Sequence, residues 1–135
     1  MLVNLCAVAV GGAIGASCRY LFGIGVAHIF AQGNPFYPFP LATFLINMIG
    51  CFAMGFLSAF FTWDLDPNAA VWKNFATTGL LGGFTTLSTF GLETMQMFDN
   101  GTYGTATVNV ILTLGVCLLG IVLGRMLART VLPAH

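Results

Sequence analysis

The sequence predicts an all-α integral membrane protein, a single bundle of four transmembrane helices over residues 1–135 with almost no mass outside the bilayer. Two observations carry that reading. Only 6% of the residues are charged while 58% are hydrophobic, and mean hydropathy is +0.93. An ordinary soluble domain is about 25% charged, and so few charges cannot cover a soluble globule of this size. The charges also fall between long uncharged runs, each long enough for a span of about 20 apolar residues. A soluble enzyme and a disordered segment are excluded by composition. Four Lys and Arg against four Asp and Glu leave no basic face, so no nucleic-acid partner is expected.

The first helix is expected over about 3–30. Residues 1–18 carry no charge before Arg19, and 20–63 carry none after it. Its start lacks a basic region and its apolar stretch outruns a signal-peptide core, so it reads as a retained span. The long uncharged run is then cut by Gln32-Gly33-Asn34-Pro35-Phe36-Tyr37-Pro38-Phe39-Pro40. Each proline lacks an N–H and restricts the residue before it, which ends a helix. The second helix follows at about 41–62, up to the polar break at Asp64, Asp66 and Lys73. The third is expected at about 73–98 and the fourth at about 103–130, before and around Arg125 and Arg129. With four spans, Lys73, Arg125 and Arg129 share a side with both termini. The positive-inside rule places that side in the cytoplasm, on a margin of three charges that leaves dual insertion open.

The third helix does not read as a plain one. Of residues 77–91, ten are Gly, Thr or Ser, all weaker helix formers than Ala or Leu. One reading is a helix break near Gly82-Gly83-Phe84-Thr85, whose carbonyls would bind a cation and whose neighbouring hydroxyls would line a pathway. The other is close packing through Gly79 and Gly83, with Thr hydroxyls bonded back one turn.

Polar stripes recur on two other helices. Thr43, Asn47 and Cys51 follow one another at i, i+4 on helix 2, as do Thr105, Asn109, Thr113 and Cys117 on helix 4. A mid-membrane Asn is costly without a partner, so each stripe reads either as interhelical glue or as part of a polar track. Taken together, the neutral donors of three helices favour the track. Such donors suit a small anion that must pass without being trapped, and aromatic ring edges add weak anion contacts. Cys6, Cys18, Cys51 and Cys117 form no C-x-x-C and read as small apolar residues. His28 and His135 show no ligand spacing.

The motifs on three helices resemble the Fluc/CrcB fluoride channels of bacteria over essentially the whole chain. Helix 1 carries Gly11-Gly12-Ala13-Ile14-Gly15-Ala16-Ser17-Cys18-Arg19-Tyr20, similar to the family's GGxxGAxxRY. Helix 2 carries Thr43, Asn47, Gly50 and Phe52, similar to TxxxNxxGxF. Helix 3 carries Gly79-Leu80-Leu81-Gly82-Gly83-Phe84-Thr85-Thr86-Leu87-Ser88-Thr89-Phe90, similar to GxxGGxTTFSTF.

The resemblance implies an antiparallel dual-topology homodimer in the bacterial inner membrane, with two fluoride pores and no enzymatic activity. It implies a structural sodium ion held by main-chain carbonyls of the helix 3 breaks, here those of Gly82 and Thr85. The fluoride pathway would take Asn47, Ser88, Thr89 and Phe90, with Thr43 beside them and Glu93 just beyond. Arg19 would support the vestibule or the fold. The family's first pore phenylalanine is replaced by Leu87. On helix 4, where many members carry a Tyr and then a Ser on the pathway, the chain has Asn109 and Thr113, which would take those places as pathway donors. Two rivals stay open. A small proton-coupled multidrug-type exporter needs an embedded acid in helix 1, where this chain has Arg19. A non-transporting subunit packed through Gly11/Gly15 and Gly120/Gly124 explains the glycines but not the hydroxyls.

Overall fold

A computed structural model describes residues 1–30, 33–34, 36–61 and 69–131, all helical or connecting, with no strand among them. Three helices are long and apolar enough to cross a membrane: α1 (Leu2–Ile29), α2 (Leu41–Phe60) and α6 (Tyr103–Val131). At 28 and 29 residues, α1 and α6 are each about 42–44 Å long, beyond the ~30 Å apolar core of a bilayer, while α2 is about 30 Å. Their long side chains point outward, including Leu5, Leu21, Ile111 and Leu118. The chain is therefore described as an integral membrane protein.

The segment between α2 and α6 is interrupted. It starts at α3 (Ala69–Lys73), continues as a π-helix over Asn74–Leu81 and tightens into α4 (Gly82–Phe84). Thr85 and Thr86 are then extended, with ψ of 159° and 111°, before α5 (Leu87–Asp99). The helix thus begins earlier than residue 73, and its interruption lies at Thr85–Thr86. Gly82 itself is helical, at φ −62° and ψ −35°. Of the predicted bounds, residue 62 lies outside the described residues, as do Asp64 and Asp66 in the polar break.

Glycine sets which helices meet. On α1 only Gly11 and Gly15 are buried, and both press on the π segment and α4. A Cβ at Gly15 would run into the Leu80 carbonyl and sit 2.9 Å from Phe84 N. One at Gly83 would sit 3.1 Å from the Gly12 Cα, and one at Gly79 3.0 Å from the Gly11 Cα. The α2–α6 pair is built the same way, with Gly55 against Ile121 and Gly124 against Phe52 and Phe56. In lipid there is little hydrophobic drive between helices, so small residues earn contact by letting backbones approach. The packing reading of the glycines therefore holds, and it coexists with a real break. The Thr hydroxyls also bond back, Thr77 Oγ1 to the Lys73 carbonyl (2.7 Å) and Thr85 Oγ1 to that of Leu81 (2.9 Å).

Candidate ion pathway at the broken helix

The break costs the backbone its helical partners, and side chains from two other helices replace them. Asn47 of α2 donates from Nδ2 to the Thr86 carbonyl (3.0 Å) and accepts the Thr86 N–H at Oδ1 (2.8 Å). Both residues are buried. Arg19 of α1 donates from Nη1 to the Thr85 carbonyl (3.0 Å). Buried polar backbone must find partners, and these two residues supply them at this interruption.

Thr86 is also the N-cap of α5. Its hydroxyl accepts from the Thr89 N–H (3.2 Å), donates to Thr89 Oγ1 (3.0 Å) and pairs with Ser88 Oγ (3.2 Å). Ser88 and Thr89 are exposed, as is Leu87, whose side chain is 75% accessible. Phe90 is buried, toward α2 and α6.

Two grooves flank this hub. The larger, ≈ 520 Å³, runs between α1, α2 and α5, and its polar lining is Arg19, Thr43, Thr86, Thr89 and Glu93. Thr43 and Glu93 both line it, and Glu93 Oε2 is buried without a hydrogen-bond partner among the described residues. The smaller groove, ≈ 240 Å³, is lined by Asn47, Cys51, Thr86, Leu87, Phe90, Thr113 and Cys117, among others. The structure therefore gathers Thr43, Thr89, Glu93 and Arg19 on one side of Thr86, and Leu87, Phe90 and Thr113 on the other.

Asn109 stands apart from both grooves. It is fully buried, donates to Thr94 Oγ1 (2.9 Å) and accepts from Thr113 Oγ1 (3.2 Å). Thr94 in turn donates to the Phe90 carbonyl (2.7 Å). In this chain Asn109 ties α6 to α5.

Thr86 and Thr94 are the two polar residues that sequence reasoning passed over. A Thr immediately before a renewed apolar run is an N-cap signature, which was the available signal for Thr86. Thr94 falls one turn after Phe90 and only its partner on α6 marks it.

The carbonyls of Gly82 and Thr85 suit a hard cation chemically, being neutral oxygens at a helix end. Gly82 is exposed, and the Thr86 N–H that a continuous helix would close onto its carbonyl is held by Asn47. Thr85 O keeps a second lone pair beside its bond from Arg19. Two carbonyls fall short of the about six oxygens a hard cation takes, so one chain fits part of a shell. Among the described residues no group of three or more His, Cys, Asp or Glu gathers to hold a metal.

These features define a polytopic α-helical membrane protein with a polar groove at a helix break. Residues 6–125 match the family model described as CrcB-like protein, Camphor Resistance (CrcB). The chain is 42% identical over 130 residues to the "Fluoride-specific ion channel FluC" of Ruminiclostridium cellulolyticum, covering 96% of this chain and 95% of that one. It is 40% identical over 132 residues to the protein of the same name from Ruegeria sp., covering 98% and 99%. The one from Roseobacter denitrificans is 42% identical over 128 residues, covering 95% and 97%. The chain belongs to the CrcB family, as its motifs indicated.

Proposed function

We propose that this chain is a fluoride-selective channel, not an enzyme, which lets fluoride leave the cytoplasm passively across the bacterial inner membrane. The observation that carries the reading is the Asn47–Thr86 hub, which holds a helix break open between two grooves in a chain whose relatives bear the name fluoride-specific ion channel. The lining groups are hydroxyls and an amide, with Glu93 as the acid and Arg19 as the base of the larger groove. Neutral donors replace a tight hydration shell without trapping the ion. The N-terminus of α5 adds the positive end of a helix dipole beside Ser88 and Thr89.

The export logic follows from acid–base chemistry. HF crosses lipid as a neutral molecule and ionises in a near-neutral cytoplasm. The inside-negative potential then drives the anion out with ~2.3 kcal/mol per charge per 100 mV. No nucleotide is required for that step, and the sequence carries no G-x-x-x-x-G-K-[ST].

The working unit is an antiparallel homodimer with two pores. Exposed Gly82, Leu87, Ser88 and Thr89 lie around an extended backbone break. Irregular backbone is tolerated at membrane depth only when buried in protein or lining a cavity, so a second copy covers this face. The same pairing would bring two sets of Gly82 and Thr85 carbonyls together. When bound there, a sodium ion would neutralise four carbonyl dipoles and fasten the two breaks. The margin of only three basic charges between the two faces leaves insertion in both orientations open.

Purified protein in liposomes tests the reading. Fluoride efflux followed with an electrode, and chloride efflux as its pair, should show fast loss of fluoride and retention of chloride. Retention of both ions by verified, inserted protein would overturn it.

A further inference from the structure

Cys51 and Cys117 do not behave as the isolated small apolar residues that their spacing suggests. Cys51 lies on α2 and Cys117 on α6, one helical turn beyond Asn47 and Thr113 respectively. Both side chains open into the same groove between the two helices, with Asn47, Phe90 and Thr113 beside them. Glycines fix that approach, since Gly120 and Gly124 put α6 against the backbone of Phe52 and Gly55 puts α2 against Ile121. Both thiols are free, neither is fully buried, and both line the ≈ 240 Å³ groove. The remaining two cysteines, Cys6 and Cys18, are exposed on α1 and belong to a different face.

We infer that Cys51 and Cys117 form a two-thiolate site for a soft divalent cation that accepts linear coordination, of which the mercuric ion is the type. Soft cations select thiolate ligands. Zinc and its like require four ligands, and the groove offers two cysteines with no His, Asp or Glu beside them. Charge decides between soft ions. Binding releases both thiol protons to solvent, so Hg(II) and two thiolates make a complex with no net charge. A monovalent ion held by the same pair would leave one negative charge in an apolar wall, which the membrane interior disfavours. No electron moves in this step, and two sulfur–proton bonds are exchanged for two sulfur–metal bonds. The site does not depend on the fluoride reading, because it is built by the α2–α6 packing alone.

The test uses full-length protein in detergent, in nitrate buffer, with mercuric nitrate as the probe. A C6A/C18A variant serves as the reference, so that Cys51 and Cys117 are the only thiols. Titration should reach about one mercuric ion per chain, with an ultraviolet sulfur-to-mercury absorption that dithiothreitol removes. Bound mercury should also protect both cysteines from a maleimide. Adding C51A or C117A to the reference should abolish the tight stoichiometric binding, while size-exclusion profiles verify that each variant remains folded. Where one alanine disturbs folding, Cys51→Ser or Cys117→Ser gives the same reading. Two mercuric ions per chain, each on a separate thiol, would overturn the shared site, as would unchanged binding in the single-cysteine variants. None of these readouts measures flux, so a failure of the fluoride assay leaves them standing.

Discussion

Asn47 and Thr86 exchange two hydrogen bonds, at 3.0 and 2.8 Å, across 39 positions of sequence. The pair turns a helix interruption into a fixed structural element. A neutral amide both donates and accepts, so one side chain satisfies the carbonyl and the N–H of the same residue. Asn47→Ala removes both bonds and leaves buried backbone polar groups unmatched. It should lower stability in detergent by about 2–4 kcal/mol, seen as a fall in thermal midpoint, and should slow fluoride efflux. Unchanged stability and efflux would remove Asn47 from the hub.

Much of this architecture was legible in sequence because membrane composition is such a strong constraint. Among the described residues, α1 and α2 fall on either side of the proline-rich stretch of the sequence, and α6 follows the last acid, Asp99. The glycine and threonine cluster also pointed to the broken helix. The position of the break was less legible, since Gly82 and Gly83 look like the weak point. Helix packing on α1 keeps them helical, and the interruption moves to Thr85–Thr86, where Asn47 and Arg19 supply partners. The stripe containing Asn109 could be read as glue or as track, because periodicity places a residue on a face without saying what the face meets.

Two glycine substitutions on α1 separate close packing from mere helix composition. Gly15→Ala places a methyl against the Leu80 carbonyl and Phe84 N, whereas a Cβ at Gly23 meets nothing within 4 Å. Gly15→Ala should destabilise by about 1–3 kcal/mol. Gly23→Ala should be neutral or gain up to ~1 kcal/mol from helix propensity. Thermal unfolding of both variants in one detergent checks the contrast.

Asn109→Leu distinguishes interhelical glue from a conducting residue. The change strips Thr94 and Thr113 of their shared partner within a fully buried site. We expect a loss of about 1–2 kcal/mol, with fluoride-over-chloride discrimination retained in the protein that stays folded. Loss of discrimination at normal stability would place Asn109 on the pathway instead.

Gly82→Ala isolates the proposed sodium site from the fold. The residue already has helical dihedrals, and an added Cβ would meet only the Thr77 carbonyl at 3.6 Å, an ordinary contact. The single chain should therefore fold normally. If the breaks of two copies face each other around sodium, the methyl crowds that junction, and the sodium dependence of dimer stability should weaken. Dimer content measured at graded sodium concentrations, with potassium as the paired salt, reads the effect. An unchanged sodium response would move the cation site away from Gly82.

Leu87→Phe addresses the position where this chain departs from the aromatic pattern that its relatives' motif suggests. Leu87 is 75% exposed and shares the smaller groove with Asn47 and buried Phe90. A larger side chain there meets open space, so the thermal midpoint of the chain should shift by no more than an ordinary surface change, within about 0.5 kcal/mol. The ring would, however, bring a positively polarised edge next to the hydroxyls of Ser88 and Thr89. In the proposed dimer that edge should tighten fluoride contact and alter the efflux rate, while chloride remains excluded. Identical fluoride efflux and affinity in a stable Leu87→Phe protein would show that the side chain at 87 faces lipid or the partner's backbone, and that Phe90 and the hydroxyls carry the selectivity without it.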